Sequence, residues 1–327
     1  MANLIMLYGD TDSGKTSNAG FFARYVYKKT GKPLRAIYAD NGGYKTIQPY
    51  VDAGIINPFH IGSAPNPLPT VVKLTRDGLW PETLKNGTIQ ADSQGRLMMS
   101  PTKDWSAIGG YIVEGLTSIC ELFLEDNRSK QRNIGQDAVG KFEEEGIKFA
   151  ANSQTHYGFS QREGMALLKR LGALPVPYVL ITAHEAKGED KETRTPIRGP
   201  ALVGSAATDN VGKEVAELIH AEVISENEDA ITNGVKSIVR RKKLRYYFES
   251  HPDPKFETTN YKCKARVPPE MVDALRERWP AGYFEPSLTE GLDTFLEFED
   301  SLLEKGSGAT MKWKQEMDAA RAGGVAK

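Results

Sequence analysis

A chain of 327 residues, 39% hydrophobic and 26% charged, is long enough to bury a sizeable core as one large domain or two smaller ones. Its formal net charge of −1 excludes a wholesale basic surface for nucleic acid and leaves room for local patches only. Cys120 and Cys263 match no metal spacing and read as reduced thiols; no apolar run reaches membrane-spanning length and no secretory signal stands at the N-terminus, so a cytoplasmic protein is expected.

The first element is the apolar run Leu4-Ile5-Met6-Leu7-Tyr8, of strand length. It leads into Gly9-Asp10-Thr11-Asp12-Ser13-Gly14-Lys15-Thr16-Ser17, which fits the phosphate-loop template G-x-x-x-x-G-K-[ST]. The two glycines let the backbone curl so that its N–H groups turn inward on an anion. Lys15 then reaches the outer phosphates and the Thr16 hydroxyl ligates Mg2+. Ala19, Phe22, Ala23 and Val26 recur at helical spacing, and Gly31 with Pro33 closes that helix. Strand, loop and helix in this order set an anion on a helix N-terminus, so residues 9–17 are predicted to bind a nucleotide.

Beyond the loop, strand-like and helical patterns alternate, which predicts an α/β fold with a mostly parallel central sheet. A strand over Leu34 to Ala39 ends at Asp40-Asn41-Gly42-Gly43, and another covers Ile55 to Ile61. Residues 63–104 read as a helix plus a surface insertion. Gly110 to Val113 is the next strand, ending at Glu114, and Ile119, Leu122 and Phe123 follow at helical spacing. A second insertion spans 126–160, where Glu143-Glu144-Glu145 reads as a solvated face. The strongest buried-strand signal, Val176 to Ala183, delivers His184 and Glu185.

The last third changes character. Asn233-Gly234 is a hairpin signature. Ser237 to Val239, Leu244 to Phe248 and Tyr261 to Val267 are predicted as antiparallel strands extending the sheet. From Pro286 an amphipathic helix carries Leu292, Phe295, Leu296, Phe298, Leu302 and Leu303, and a polar tail occupies 305–327. The expected division is a domain over 1–285 and a C-terminal helix and tail over 286–327.

Hydrolysis needs a strand-end carboxylate on the metal side and a polar group to orient the attacking water. Glu114 is the metal-side candidate; its rivals Glu125 and Asp126 follow residues in helical register with Ile119. Asp40 closes another strand and reads either as the group acting on water or as a turn former before two glycines. His184 falls at the carboxyl end of its strand, where ligands of open α/β sheets bind, and reads as a site residue or a structural one. Lys262, Lys264 and Arg266 alternate, so Arg266 is either a finger neutralising charge on a transferring phosphoryl group or part of a solvated strand face. Arg240-Arg241-Lys242-Lys243, with Arg245 and Tyr246-Tyr247 following, is the densest basic run and suits a nucleic-acid backbone with stacked bases. The 187–198 loop mixes both signs of charge.

This ordered set resembles the RecA-like P-loop ATPases of bacteriophages, of the AAA-domain single-strand annealing and recombination type. The likeness runs over residues 1 to about 285, through Ile181-Thr182-Ala183-His184-Glu185, Gly199-Pro200-Ala201-Leu202-Val203-Gly204 and Lys264-Ala265-Arg266. It implies a RecA-like fold, ATP and Mg2+ as cofactors, and a homo-oligomer with nucleotide at the subunit boundary. Asp40 matches the water-activating acid, His184 the sensor of the γ-phosphate, and Lys264 with Arg266 a finger offered to a neighbour. The 187–198 loop matches a DNA-contacting loop. The family usually has Asp where this chain has Glu114. The expected activity is ATP hydrolysis on DNA in recombination, repair or replication. The alternative is a nucleotide-dependent assembly or packaging factor acting on protein partners; a small-molecule kinase is weaker, because no compact arginine-bearing lid is evident.

Overall fold

The computed structural model describes residues 2–306 other than 40–43, 65, 83–88, 95, 131–140, 145–146, 151–153, 190–195, 203–204, 233–234, 254–255 and 288. In chain order the elements are β1 (Asn3–Gly9), α1 (Lys15–Thr30), β2 (Leu34–Tyr38), α2 (Tyr44–Asp52), β3 (Ile56–His60), α3 (Pro67–Thr75), β4 (Leu79–Pro81), β5 (Met99–Pro101) and β6 (Gly110–Glu114). There follow α4 (Leu116–Lys130), β7 (Lys141–Glu144), β8 (Ile147–Ala150), α5 (Gln154–Gly172), β9 (Tyr178–Ala183), β10 (Glu185–Glu189), β11 (Pro196–Pro200) and α6 (Ser205–Glu214). The last are β12 (Glu217–Thr232), β13 (Val235–Tyr247), β14 (His251–Asp253), β15 (Phe256–Tyr261), α7 (Pro269–Arg278), β16 (Tyr283–Phe284) and a helix over 292–306, here α8.

Eight strands form the central sheet in the order β16-β13-β12-β1-β9-β6-β2-β3. The six from β12 to β3 are parallel, while β13 and β16 add to the β12 edge antiparallel. This is the predicted α/β architecture with its antiparallel extension. The strands read as unbroken apolar runs because helices cover both faces. Leu4, Met6 and Tyr8 of β1 belong to one core with residues of α3, α4 and α5, and Ile5 and Leu7 to the other with α1 and α8. The chain leaves β1 for β2, and β6 and β9 later fill the two places between them. The carboxyl ends of β1, β6 and β9 therefore meet at one edge, where an open α/β sheet places its ligands. A second sheet, in the order β10-β11-β15-β14, follows directly from β9.

Three local expectations change. The predicted pair Ser237–Val239 and Leu244–Phe248 is one continuous strand, β13, facing β12 in register from Thr232↔Val235 to His220↔Tyr247. Asn233 and Gly234 lie outside the described residues. Because β12 pairs with β1 only over Glu217–Ala221, the β12–β13 ribbon runs on for roughly 35 Å beyond the sheet at ~3.3 Å per residue. The predicted strand Tyr261–Val267 keeps only Tyr261, the last residue of β15, and a single bridge joins Lys264 to Leu218. Helix α5 was not among the predicted elements, although Ser160, Gly164, Leu167, Leu168 and Leu171 bury one face at helical spacing.

Candidate functional site

The loop after β1 is shaped by what lies beneath it. A Cβ on Gly9 would stand 2.0 Å from the carbonyl oxygen of Ala221 on neighbouring β12, so the backbones can approach only at glycine. Gly14 has φ +75°, and a Cβ there would meet the Tyr246 hydroxyl of β13 at 2.7 Å. That hydroxyl donates to the Ser13 carbonyl at 2.8 Å and accepts from Asn18 Nδ2 at 2.8 Å. Burial pushes the Tyr246 pKa up and keeps the group a neutral donor. Asn18 Oδ1 in turn accepts the Leu292 N–H at the start of α8, at 2.9 Å. Over this support lies the Lys15 ammonium, which donates to the carbonyls of Gly9 (2.9 Å) and Asp10 (2.6 Å) and to Ser13 Oγ (3.1 Å).

At the other side of the loop, Thr16 Oγ1 donates to Glu114 Oε1. Thr182 Oγ1 donates to Glu114 Oε2 at 3.0 Å and accepts from the Gly115 N–H at 2.9 Å. Glu114 is 3% exposed, and both its oxygens are engaged. Glu125 and Asp126 lie in helix α4, as their spacing indicated. A hydroxyl and a carboxylate side by side are the hard oxygen donors that suit Mg2+, which takes one or two protein oxygens and completes its shell with water and phosphate. The residues present therefore fit that ion. Among the described residues no group of three or more His, Cys, Asp and Glu side chains is arranged as a larger metal cluster.

A cavity of about 600 Å³ opens above these groups, lined by residues 11–17 with Thr46, Glu114, Gly115, Thr182, Ala183 and His184. His184 reaches it because its N–H donates to Thr117 Oγ1 at 3.0 Å and its carbonyl accepts the Ala201 N–H at 2.6 Å. Among the described lining residues, Lys15 is the one Lys or Arg. A second cavity of about 620 Å³ adjoins the first through Ser17 and Thr46, with Phe21, Tyr50, Lys242 and Leu244 among its walls. Asp40 lies outside the described residues. Thr46 and Asn18 adjoin the loop and were not found by motif reading; Thr182 stands in the sequence motif without an assigned role, and Tyr246, read in sequence as stacking on bases, is instead fully buried beneath the loop.

Arg266 requires correction; Lys264 does not, since it is exposed and bridges to Leu218 outside the named strands. The Arg266 side chain is 4% exposed and donates to Glu299 Oε2 at 2.6 Å, Asp300 Oδ1 at 2.8 Å and the Leu296 carbonyl at 2.9 Å. Asp300 also accepts from the Tyr25 hydroxyl at 2.7 Å. Tyr25 is ten residues along α1 from Lys15, about 15 Å at 1.5 Å per residue. A guanidinium held in an internal ion cluster at that end of the helix is not offered to a neighbour's phosphates. Lys264 Nζ donates to the Val215 carbonyl at 2.9 Å.

The basic run lies on the projecting ribbon. Lys243 pairs with Glu226 at 3.0 Å, and Arg245 pairs with both Glu226 and Glu285. Lys242 is exposed, and the side chains of Arg240 and Arg241 lie outside the described residues. The 187–198 segment is the β10–β11 hairpin, described except for 190–195; its Arg198 pairs with Glu185 at 2.7 Å.

No protein-family model matches the chain, and no curated protein matches it. Solved structures similar to it include the flagellar accessory protein FlaH from Methanocaldococcus jannaschii, at 8% identity and TM-score 0.33, covering 75% of this chain and 76% of that one. A KaiC-like protein from Pyrococcus horikoshii is 12% identical at TM-score 0.35, with 75% and 78% covered. Fold and site together define an α/β protein with a glycine-rich loop of phosphate-binding form at the carboxyl edge of its parallel sheet. No helix among the described residues is long and apolar enough to cross a membrane.

Proposed function

We propose that this chain is a RecA-like P-loop ATPase that binds Mg2+-ATP at residues 9–17 and hydrolyses it. The observation that carries the reading is the contact between Thr16 and Glu114, 98 positions apart, at the mouth of the loop. A phosphate-binding turn needs no carboxylate beside its Thr; a Mg2+-dependent phosphoryl-transfer site does. Thr16 and Glu114 would hold Mg2+, which when bound neutralises charge on the transferring phosphates. Loop N–H groups and Lys15 bind the phosphates. Thr182 fixes the Glu114 carboxylate, and His184 contacts the outer phosphate across the cavity. Asp40, next after Ala39 at the end of β2, orients and deprotonates the attacking water. The adjoining cavity beyond Ser17 takes the nucleoside, with Phe21 and Tyr50 as its apolar walls.

Phosphoryl transfer benefits from a second cation. With Lys15 alone among the described residues of the cavity, that cation comes from a neighbouring subunit, which makes the working form a homo-oligomer with nucleotide at the boundary. The target is DNA, in recombination, repair or replication, contacted by the β12–β13 ribbon and the β10–β11 hairpin. Lys242 and the neighbouring Arg240 and Arg241 support this reading. The pairing of Lys243 and Arg245 with glutamates favours the second reading, in which the ribbon docks on a protein partner and ATP serves as a conformational switch. Turnover of Mg2+-ATP with and without single-stranded DNA separates the two. A DNA-dependent rise that Arg240→Ala/Arg241→Ala abolishes supports the first; an unchanged rate together with no DNA retention at low salt rules it out.

A further inference from the structure

His220, on β12 beside Tyr8 of β1, is 1% exposed and joins the central sheet to the second one. Its ring stacks on Tyr261 of β15 at 3.8 Å between centroids. Its Nδ1 lies 3.0 Å from Nε2 of His251 in β14, and its Nε2 lies 3.2 Å from Glu185 Oε2 in β10. At the two ends of this chain, His251 Nδ1 is 3.2 Å from the Pro252 carbonyl, and Arg198 of β11 donates to Glu185 Oε1 at 2.7 Å.

Counting hydrogens along the chain gives its chemistry. A carbonyl only accepts, so His251 Nδ1 carries a hydrogen. The three contacts of the two rings then need three N–H groups: that one, one between the rings, and one from His220 Nε2 to the carboxylate. Two neutral imidazoles bring two. With two, either His220 Nε2 turns a lone pair on Glu185 or the rings meet lone pair to lone pair. One added proton satisfies all three contacts. Arg198 favours the ionised form of Glu185, so that proton belongs to the imidazole pair and not to the carboxylate. The neighbouring hydroxyl and thiol groups stay neutral: burial raises the Tyr8 pKa well above the ordinary value and pushes those of Tyr247 and Cys263 up to about 12. The acidic groups next beyond are Glu222, beside Tyr247, and Glu249, beside Cys263.

We infer that His220 and His251 form a proton-operated catch between the two sheets: uptake of one proton completes the chain His251–His220–Glu185–Arg198 and holds the β10–β11 hairpin on the central sheet, and its loss frees Glu185. Docking therefore strengthens as pH falls, because the docked form binds the proton more tightly than the undocked one. Glu185 is next after His184, which lines the cavity above the loop, so the catch acts on the segment that leaves that cavity. It does not depend on the ATPase reading.

The test is native-state amide exchange of the full chain without nucleotide from about pH 8.5 down to about pH 5.5, the range in which imidazoles change charge. Protection over residues 186–188 and 197–199 is expressed relative to that in β6, so that changes in overall stability cancel. In the wild type this ratio should rise by about tenfold as pH falls, the worth of one pKa unit. The ring 15N signals of His220 and His251 should show three N–H groups in the acid form and two in the basic form. In Glu185→Gln an amide N–H meets the His220 Nε2 lone pair without an added proton. In His251→Asn the amide N–H meets His220 Nδ1, which frees the single N–H of neutral His220 for Glu185. Both variants should keep the hairpin protected and lose the pH dependence. A flat wild-type profile, or the wild-type slope retained in either variant, overturns the catch. A hairpin unprotected at every pH in both variants also overturns it, since the contacts would then be packing that neither proton nor amide can replace.

Discussion

Lys15 supplies the one side-chain cation of the described cavity, so Lys15→Ala should remove outer-phosphate binding while the fold remains. Turnover should fall by about 10² or more, and the Tm in the absence of nucleotide should move by less than a degree or two. Arg266 acts on stability instead. Removing one partner of a buried ion cluster costs about 3–5 kcal/mol, so Arg266→Ala should unfold at markedly lower denaturant. A variant that keeps wild-type stability yet loses turnover would restore Arg266 to the active site. Beside it, Glu217 is fully buried, and desolvation together with Glu299 raises its pKa well above the ordinary carboxylate value. A raised folded-state pKa means the folded protein holds a proton that the unfolded chain releases, so stability falls as pH rises above about 4.3. Glu217→Gln keeps the shape and removes this loss. Its stability relative to wild type should climb between pH 5 and 8 by at least about 1 kcal/mol, the worth of one pKa unit. Parallel pH profiles for the two proteins would contradict a raised pKa at Glu217 in the folded protein. The alternation of Lys262, Lys264 and Arg266 resembles a strand face in sequence, but the carboxylates that claim Arg266 stand 33 and 34 positions away. No local pattern reports such a pairing.

The strand–loop–helix unit was legible because its determinants are local: glycine spacing, an apolar run and a helical repeat within 30 residues. Its support was not. Tyr246 lies on a strand 233 positions from Ser13, and Asn18 meets α8 at a distance of 274 positions. Helix α5 escaped because its buried face is interrupted by Gln161-Arg162-Glu163 and relies on small residues, Ser160 and Gly164, as much as on leucines. These supports make an element-scale prediction. Tyr246→Phe removes the donor to the Ser13 carbonyl and the acceptor for Asn18, leaving polar atoms buried and unpaired. The fold should lose about 1–3 kcal/mol, and Mg2+-ATP affinity should fall because the loop is no longer held in its binding shape. Asn18→Ala should do the same and also loosen α8, seen as faster amide exchange at Leu292. Wild-type nucleotide affinity in both variants would show that the loop needs no buttress from β13.

At the scale of the molecule, strand alternation made the parallel sheet and its antiparallel extension readable. The order of strands was beyond sequence, because nothing local tells β6 and β9 to enter between β1 and β2. That insertion brings Glu114 and Thr182 to Thr16, so the site is a product of topology as much as of motif. A cation supplied across a subunit boundary predicts that activity depends on protein concentration, with rate per subunit falling as the oligomer dissociates. Sedimentation and turnover measured over the same dilution series would check it; constant turnover in a monomeric sample would exclude the trans cation. The central claim is that loop, Thr16 and Glu114 together make a Mg2+-dependent hydrolytic site. The most direct measurement is steady-state phosphate release from ATP by purified wild type, Lys15→Ala and Glu114→Gln across a Mg2+ titration. The account predicts turnover only with Mg2+ in the wild type, none above background for Lys15→Ala, and a Glu114→Gln curve displaced to higher Mg2+ with a lower plateau. Phosphate release by Glu114→Gln that follows the wild-type Mg2+ curve, or none from the wild type at any Mg2+ concentration, would contradict it.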